Sequence, residues 1–271
     1  MIQIGKLPPV AETMLWPLYG RAAEARRPDA KLRDPLAIRV ADSIDYDYAK
    51  SFGRPDFGHA ARALAIDAEL ESWIADHPDG QIVALGEGLE TQFWRVDNGS
   101  ICWLSVDLEE TIELRRQLLD SSPSIESVAS PISDLRWMDS VESDRDVFVT
   151  AAGVLMYLEP NQVQALIAAI AERFPRSMIV FDGIPRWLSR LTMEEGWQMT
   201  PDFTLPPMPW GMDRTEIDEV RDWSKNIAEV DEIVFRGGRG LAYGGYVSLM
   251  RKLPKSDHQT PFLLRLTCRP S

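Results

Sequence analysis

A short glycine turn and one acid further along the chain are the residues best suited to binding a nucleoside. The apolar run Gln81 to Leu85 leads into Gly86-Glu87-Gly88, and Asp107 follows Gly86 by 21 residues. Glycines after the first strand of a parallel sheet let the backbone approach a ligand, and an acid about 20 residues on commonly accepts hydrogen bonds from ribose. The spacing predicts an adenosine-containing ligand. The alternative for Asp107 is the N-cap of its own helix, and we expect Glu87 to be a solvated loop acid.

The presence or absence of a third glycine decides which adenosine-containing ligand fits. A dinucleotide fingerprint needs a third glycine five residues after the first, and Thr91 stands there. The helix start that would hold a pyrophosphate is therefore missing, which disfavours an NAD-dependent oxidoreductase. S-adenosylmethionine carries no phosphate and tolerates the looser pattern.

The surrounding sequence alternates buried strands with helices. Continuous apolar runs without polar alternation are typical of a parallel sheet covered on both faces. The predicted strands are Gln81–Leu85, Ile101–Val106, Val147–Ala152 and Ser177–Asp182. The predicted helices include Phe57–Asp76, Asp107–Leu119 and Asn161–Phe174. This alternation predicts an α/β fold with a doubly wound, mostly parallel, Rossmann-like sheet.

We expect one domain over residues 1–271, in four parts. A helical N-terminal extension (1–79) precedes a cofactor-binding core (80–185), a lid insertion (186–225) and the last strands and tail (226–271). Strands are predicted at 229–234 and 245–250, and the tail after residue 252 has no clear assignment. The stretch 187–223 holds four of the nine tryptophans and four of the ten methionines. Such a stretch either lines an apolar acceptor pocket or covers the edge of the sheet.

Composition excludes several classes of function. The net charge is −13, and the densest basic stretch, 21–39, is interrupted by acids, so we expect no nucleic-acid partner. Two cysteines and three scattered histidines predict neither a disulfide framework nor a metal site. No apolar run approaches the roughly 18 residues of a membrane span. We expect a cytoplasmic protein without a membrane partner, and the sequence predicts no particular oligomeric state.

Five motifs in order carry a family resemblance. They are LGEGLETQFWRV (85–96), VDLEETIELRR (106–116), SPISDLRWMD (130–139), AAGVLMYLEPNQV (151–163) and FP..MIVFD (174–182). With them the chain resembles the leucine carboxyl methyltransferase family, in its bacterial branch of tetracenomycin-type polyketide O-methyltransferases. The resemblance implies a class I methyltransferase fold of about seven strands and S-adenosylmethionine as cofactor. It also implies O-methylation of a hydrophobic small molecule, a polyketide-like phenol or carboxylate.

The resemblance also assigns cofactor-binding positions. It implies that Arg62 pairs with the methionine carboxylate, that Gly86 and Gly88 lie beside the amino-acid moiety, and that Asp107 holds the ribose. Ile132, Ser133 and Asp134 would hold the adenine, and Glu90, Leu108 and Ala152 complete the set.

Several positions depart from the family pattern. Glu90, Gln92 and Ala152 stand where the family usually has Asp, Arg and Glu, and Ala63 replaces a threonine. These departures leave open an alternative reading, a non-catalytic binding or regulatory protein with a degraded cofactor site.

Methyl transfer needs alignment above all, and a base only if the acceptor must lose a proton. His59, three residues before Arg62, is a candidate base, although it could equally cap a helix start. Tyr157 could border the transferred methyl group or belong to the core. Asp182 ends a predicted strand and could face the site or cap the next turn.

Overall fold

The computed structural model describes residues 1–5, 7–142, 145–233 and 260–270. Its strands are β1 (Gln81–Leu85), β2 (Cys102–Asp107), β3 (Ile125–Ala129), β4 (Val147–Ala151), β5 (Met178–Gly183), β6 (Trp197–Thr200), β7 (Phe203–Leu205), β8 (Ile227–Glu232) and β9 (Phe262–Cys268). Its helices are α1 (Pro9–Glu12), α2 (Leu15–Ala25), α3 (Pro35–Ser43), α4 (Tyr48–Phe52), α5 (Gly58–Asp76), α6 (Gln92–Val96), α7 (Glu109–Leu118), α8 (Pro160–Arg173) and α9 (Arg186–Glu194). Short 3-10 helices occupy Leu135–Ser140, Leu155–Tyr157 and Arg214–Trp223.

Among the described strands, seven form one sheet in the order β3-β2-β1-β4-β5-β9-β8. The pairs from β3 to β5 are all parallel, whereas β9 runs antiparallel to both β5 and β8. The chain moves outward from β1 to β2 and β3 and then returns to β4 on the other side of β1. In doubly wound sheets such a switch point opens a crevice at the carboxyl ends of the strands. The predicted doubly wound α/β fold is confirmed.

Both faces of this sheet are buried, which explains the continuous apolar runs. In β1 the side chains of Val83 and Leu85 join one core cluster, whereas those of Ile82 and Ala84 join the cluster on the opposite face. Helix α8 covers the first face and helix α5 the second. Alternate strand residues therefore both need to be apolar.

Helix starts follow local sequence signals. Pro160 opens α8, and Glu159 and Gln162 form a reciprocal capping box at its N-terminus. Asp34 caps α3 by accepting a hydrogen bond from the backbone N–H of Ala37 at 2.9 Å. These signals place both helix starts without help from tertiary contacts.

The insertion packs as a cover over the sheet and the N-terminal helices. Phe203, Leu205 and Met208 join a cluster with Phe52 and other residues of α2 to α4. Trp210 and the neighbouring Met212 pack instead against the sheet. Two apolar side chains of α9 remain exposed, Trp187 at 41% and Met193 at 52%. Most of the large apolar groups of this stretch therefore fill protein core.

The strands predicted at 81–85, 101–106, 147–152 and 177–182 are confirmed to within one residue at each end, and the strand expected at 229–234 is β8. The strand predicted at 245–250 and the glycine cluster at 236–240 lie outside the described residues. The unassigned tail contains β9, between β5 and β8. No helix in the described part of the chain is both long and apolar enough to span a bilayer. The division into one domain of four parts stays a prediction.

Because β9 lies inside the sheet, truncating a buried side chain of this strand should lower the free energy of unfolding substantially. Leu264 is fully buried between Phe181 and Glu232 of the neighbouring strands. Leu264→Ala should lower the free energy of unfolding by about 2 to 5 kcal/mol, because it removes a buried side chain and leaves a cavity. Chemical denaturation measures this. The matched control is Leu135→Ala at a site 38% exposed, where a change within about 0.5 kcal/mol is expected. Equal effects at both sites would contradict this placement of β9.

Candidate functional site

A cavity of about 290 Å³ lies at the carboxyl ends of the central strands. Its floor comes from the residues that follow β1 to β4, with Gly86, Asp107, Ser130 and Ala152 each at or just beyond a strand end. Its roof comes from the N-terminal segment, whose lining residues are Val10, Ala11, Thr13, Met14 and Pro17. The volume is close to the lower end of the range typical of small-molecule sites.

The insertion does not contribute to this cavity. Every residue that lines it belongs to 10–21, 62–66, 85–92, 107–111, 130–133 or 150–158. A smaller pocket of about 150 Å³ is lined by residues of the Trp- and Met-rich stretch, Trp210, Met212 and Trp223 among them, so the acceptor-lining reading of that stretch stays a prediction.

The turn after β1 requires glycine at two positions. Gly86 and Gly88 have φ angles of 59° and 56°, in the left-handed region. A Cβ on Gly86 would lie 2.3 Å from Cγ2 of Val154, and one on Gly88 would lie 2.7 Å from Cβ of Met14. Conformation and close packing therefore both demand glycine here. These close neighbours are side chains of the protein itself, and the close approach of the backbone to a ligand stays a prediction.

Asp107 stands at the end of β2 and is 8% exposed. Its Oδ2 accepts a hydrogen bond from the Gly88 N–H and its Oδ1 one from the Leu108 N–H, both at 2.8 Å. Helix α7 begins at Glu109 with Leu108 as its N-cap, so the capping alternative for Asp107 is wrong. Burial raises the pKa of Asp107, and the two backbone N–H groups oppose that shift. The Thr111 side chain also hydrogen-bonds to Asp107, so three protein donors use this carboxylate, and capacity for a further ligand hydroxyl remains.

Arg62 reaches the cavity from α5 and is already paired. Its Nη1 donates to Oδ2 of Asp182 at 2.6 Å, and Oδ1 of Asp182 accepts from the Gly153 N–H at 2.6 Å. Gly153 has a φ of 78°, and a Cβ there would lie 2.9 Å from Nη1 of Arg62. Asp182 therefore orients Arg62 and does not line the cavity or cap α9, whose N-cap is Pro185. Among the described residues no acid takes Nε or Nη2 of Arg62.

Glu90 lines the cavity as part of a buried charge cluster, Arg21, Asp34, Asp67, Glu90 and Arg95. Its Oε2 lies 2.8 Å from Nη1 of Arg21 and its Oε1 lies 2.8 Å from Nη1 of Arg95. Burial would raise the pKa of Glu90, but the two guanidinium groups outweigh it and lower that pKa to about 2. Glu90 is thus placed beside the cavity as a counter-ion rather than as a free ligand.

Of the three catalytic candidates, Tyr157 alone lines the cavity. Its hydroxyl lies 3.2 Å from Oγ1 of Thr13, whose own hydroxyl donates to the carbonyl of Val10 at 2.6 Å. Burial raises the pKa of Tyr157, so it remains a neutral phenol.

His59 lies outside the cavity, with its ring centroid 4.7 Å from that of Trp16. Burial lowers the pKa of His59 well below its usual value, and the positive charges of Arg62 and Arg21 lower it further. His59 is the second residue of α5. The N-cap of that helix is Phe57, so His59 is not the cap residue.

The loop after β3 divides the predicted adenine residues. Ile132 and Ser133 line the cavity. Asp134 does not line it; its side chain is 29% exposed, pairs with Arg136 and caps the 3-10 helix that follows. Leu108 and Ala152 line the cavity as predicted.

The sequence did not reveal the residues that reach the site from distant parts of the chain. Thr13, Met14 and Arg21 form the roof but carry no motif, and their only signal is the apolar spacing of the N-terminal helices. Glu87 was expected in solvent, yet its side chain is 5% exposed and lies 2.8 Å from Nη2 of Arg115. The expectation is wrong because an arginine of α7 supplies the compensating charge inside the fold.

The sequence profile described as leucine carboxyl methyltransferase matches residues 15–171, more than half of the chain. The chain is 28% identical over 188 residues to the tetracenomycin polyketide synthesis O-methyltransferase TcmP of Streptomyces glaucescens, covering 68% of this chain and 70% of that protein. It is also 28% identical over 182 residues to the S-adenosyl-L-methionine-dependent methyltransferase dpfgK of Gibberella zeae, covering 60% and 61% of the two chains.

Solved structures of methyltransferases share the fold. A candidate methyltransferase of Thermobifida fusca YX superposes with a TM-score of 0.59 at 15% identity, covering 97% of this chain and 98% of that one. The plantazolicin methyltransferase BamL, solved with S-adenosylhomocysteine, gives 0.52 at 13% identity with the same coverage. The expected class I methyltransferase fold is confirmed.

The charge cluster predicts a pH-dependent contribution to stability. Glu90→Gln should cost about 3 kcal/mol at pH 7, the lower end for breaking a buried pair, because 20% of the Glu90 side chain is exposed. A carboxyl with a lowered pKa stabilises the fold above its unfolded pKa of about 4.3. That contribution is lost as the pH falls toward about 2.

Denaturation with urea between pH 7 and pH 3 measures the difference between the variant and the wild type. The difference should be constant above pH 5 or so and narrow below about pH 4. Glu113→Gln, on the exposed face of α7, is the control and should change stability by less than about 0.5 kcal/mol. A difference that does not change with pH would argue against the ion pairs of Glu90.

Proposed function

Because the chain belongs to the leucine carboxyl methyltransferase family, we propose that it is an S-adenosylmethionine-dependent O-methyltransferase for a hydrophobic small molecule. S-adenosylmethionine is its cofactor. The observation that carries the proposal is a cavity lined by both the glycine turn and the buried carboxylate of Asp107, which are hydrogen-bonded to each other. A dinucleotide would need a phosphate site at this turn, and Thr91 occupies the position of the required glycine.

The residues of the cavity fit an adenosyl amino acid. Asp107 can accept a further hydrogen bond from a ribose hydroxyl, and Ile132 and Ser133, after β3, suit an adenine ring and its polar edge. Arg62, on the β4 and β5 side, has guanidinium N–H groups left for a carboxylate. The strand order places β1 between β2 and β4. The glycine turn after β1 therefore lies between Asp107, at the end of β2, and Arg62, on the β4 side.

The chemistry supplied by the bound cofactor is an electrophilic methyl group that an acceptor oxygen attacks in line. The chain itself aligns the reactants and excludes water, and alignment alone can contribute about 7 to 11 kcal/mol. Tyr157 donates its phenol proton to Oγ1 of Thr13, so it borders the cavity as a neutral phenol rather than as a base. A carboxylate or an acidic phenol, already ionised in water, suits such a site best.

The acceptor is proposed to be a polyketide-like aromatic phenol or carboxylate. Apolar atoms dominate the roof, where Val10, Ala11 and Met14 line the cavity. The name of the Streptomyces glaucescens relative, a tetracenomycin polyketide synthesis O-methyltransferase, supports the same class. Small-molecule binding without turnover, the alternative raised by Gln92 and Ala152, is the competing outcome.

Cofactor binding tests the first half of the proposal. Calorimetry should show that the wild type binds S-adenosylhomocysteine, and Asp107→Asn should weaken binding by about 1 to 3 kcal/mol, because charge-assisted hydrogen bonds to ribose are lost. Asp139→Asn, at a carboxylate 80% exposed, is the matched control and should leave binding unchanged. A folded wild type that does not bind at millimolar ligand would refute the proposal.

Acceptor chemistry tests the second half. The protein is incubated with S-adenosylmethionine and either 2-naphthoic acid, 2-naphthol or 2-naphthylamine, which share one skeleton. Mass spectrometry should find a methyl ester or methyl ether and no methylamine. Methylation of the amine would overturn the assignment to oxygen. Cofactor binding without any product would favour the non-catalytic reading.

A further inference from the structure

One arginine that does not line the cavity is bonded to three residues of the glycine turn, taken as residues 86–90. Arg115, on α7, is 5% exposed, and its Nη1 donates to the carbonyls of Gly88 at 2.5 Å and Glu90 at 3.0 Å. Its Nη2 lies 2.8 Å from Oε1 of Glu87. No residue of the described chain outside the turn pairs with Arg115, so the guanidinium is devoted to this turn.

These bonds fix a conformation that the turn would not hold alone. Glycine samples left-handed and right-handed backbone equally readily, so Gly86 and Gly88 give the turn many alternative shapes. Arg115 donates to the carbonyls of Gly88 and Glu90, and Asp107 accepts from the Gly88 N–H. Gly88 is therefore hydrogen-bonded through both its N–H and its carbonyl.

The guanidinium is itself held in place. Glu87 balances its charge, and Oε1 of Glu87 also accepts a hydrogen bond from Nε1 of Trp103 at 3.3 Å. A planar fork can bond two carbonyls and a carboxylate at once, whereas a lysine ammonium is a point charge without that geometry. Arginine rather than lysine is what this arrangement requires.

We propose that Arg115 is a positioning residue that holds the glycine turn in the shape that receives the amino-acid half of the cofactor. This inference rests on the proposed function. The turn borders both halves of the site: Gly86 packs against Val154, which follows β4, and the Gly88 N–H is bonded to Asp107 at the end of β2. Asp107 keeps its bond to the Leu108 N–H when the turn loosens, so contacts to the amino-acid half should weaken more than those to the nucleoside.

Two ligands separate these halves. S-adenosylhomocysteine carries both, whereas 5′-methylthioadenosine keeps the nucleoside and lacks the amino-acid group. Arg115→Lys keeps the charge but loses the fork. Calorimetry should show S-adenosylhomocysteine binding weakened about tenfold or more, and 5′-methylthioadenosine binding changed by less than about threefold. Asp107→Asn should weaken both ligands by similar factors, because both contain the ribose.

The neighbouring Arg116→Lys, on the exposed side of α7, is the matched control and should bind both ligands as the wild type does. If Arg115→Lys fails to fold, Glu87→Gln replaces it, since loss of the counter-ion should shift the ratio of the two affinities in the same direction. Parallel losses for both ligands, or no loss, would overturn the positioning role while leaving the proposed function standing. A wild type that binds neither ligand would instead refute the proposed function.

Discussion

The roof of the cavity depends on a buried charge cluster that joins three parts of the chain. Arg21 and Asp34 come from the N-terminal helices, Glu90 and Arg95 follow β1, and Asp67 lies on α5. Taking each ion out of water costs several kcal/mol, and the cost is offset only when the partners meet with good geometry. Docking of the N-terminal helices and ordering of the segment after β1 are therefore coupled, and the cavity exists only where both have occurred.

The sheet and the centre of the site could be predicted because their signals are local. The apolar runs of β1, β2, β4 and β5 are short and bounded, and each is buried on both faces. Gly86 and Gly88 follow directly from the need for close backbone approach, and Asp107 follows from its place at the end of the neighbouring strand. Such features can be predicted from residues that lie within about 25 positions of one another in the sequence.

The remainder depends on contacts between residues far apart in sequence. Arg62 is bonded to Asp182, 120 positions away, and Arg21 is bonded to the carbonyl of Leu89, 68 positions away. The sequence around either arginine does not indicate which residue its partner is. The strand β9 was missed because it follows a long polar segment and inserts between two earlier strands. The role of the insertion stayed open because composition shows that apolar groups must be buried, but it does not show against which surface.

Gln92, one of the departures from the family pattern, lines the cavity and also takes part in the charge cluster beside it. Nε2 of Gln92 donates to Oδ1 of Asp67 at 2.7 Å, and Asp67 also pairs with Nε of Arg95 at 2.7 Å. An amide at position 92 thus fills one donor position in the cluster while Arg95, one helical turn later, supplies the guanidinium. Arg95, three residues on, is itself bonded to Glu90. Gln92 therefore has a bonded place in the folded chain, because its amide belongs to the network that supports the cavity it lines.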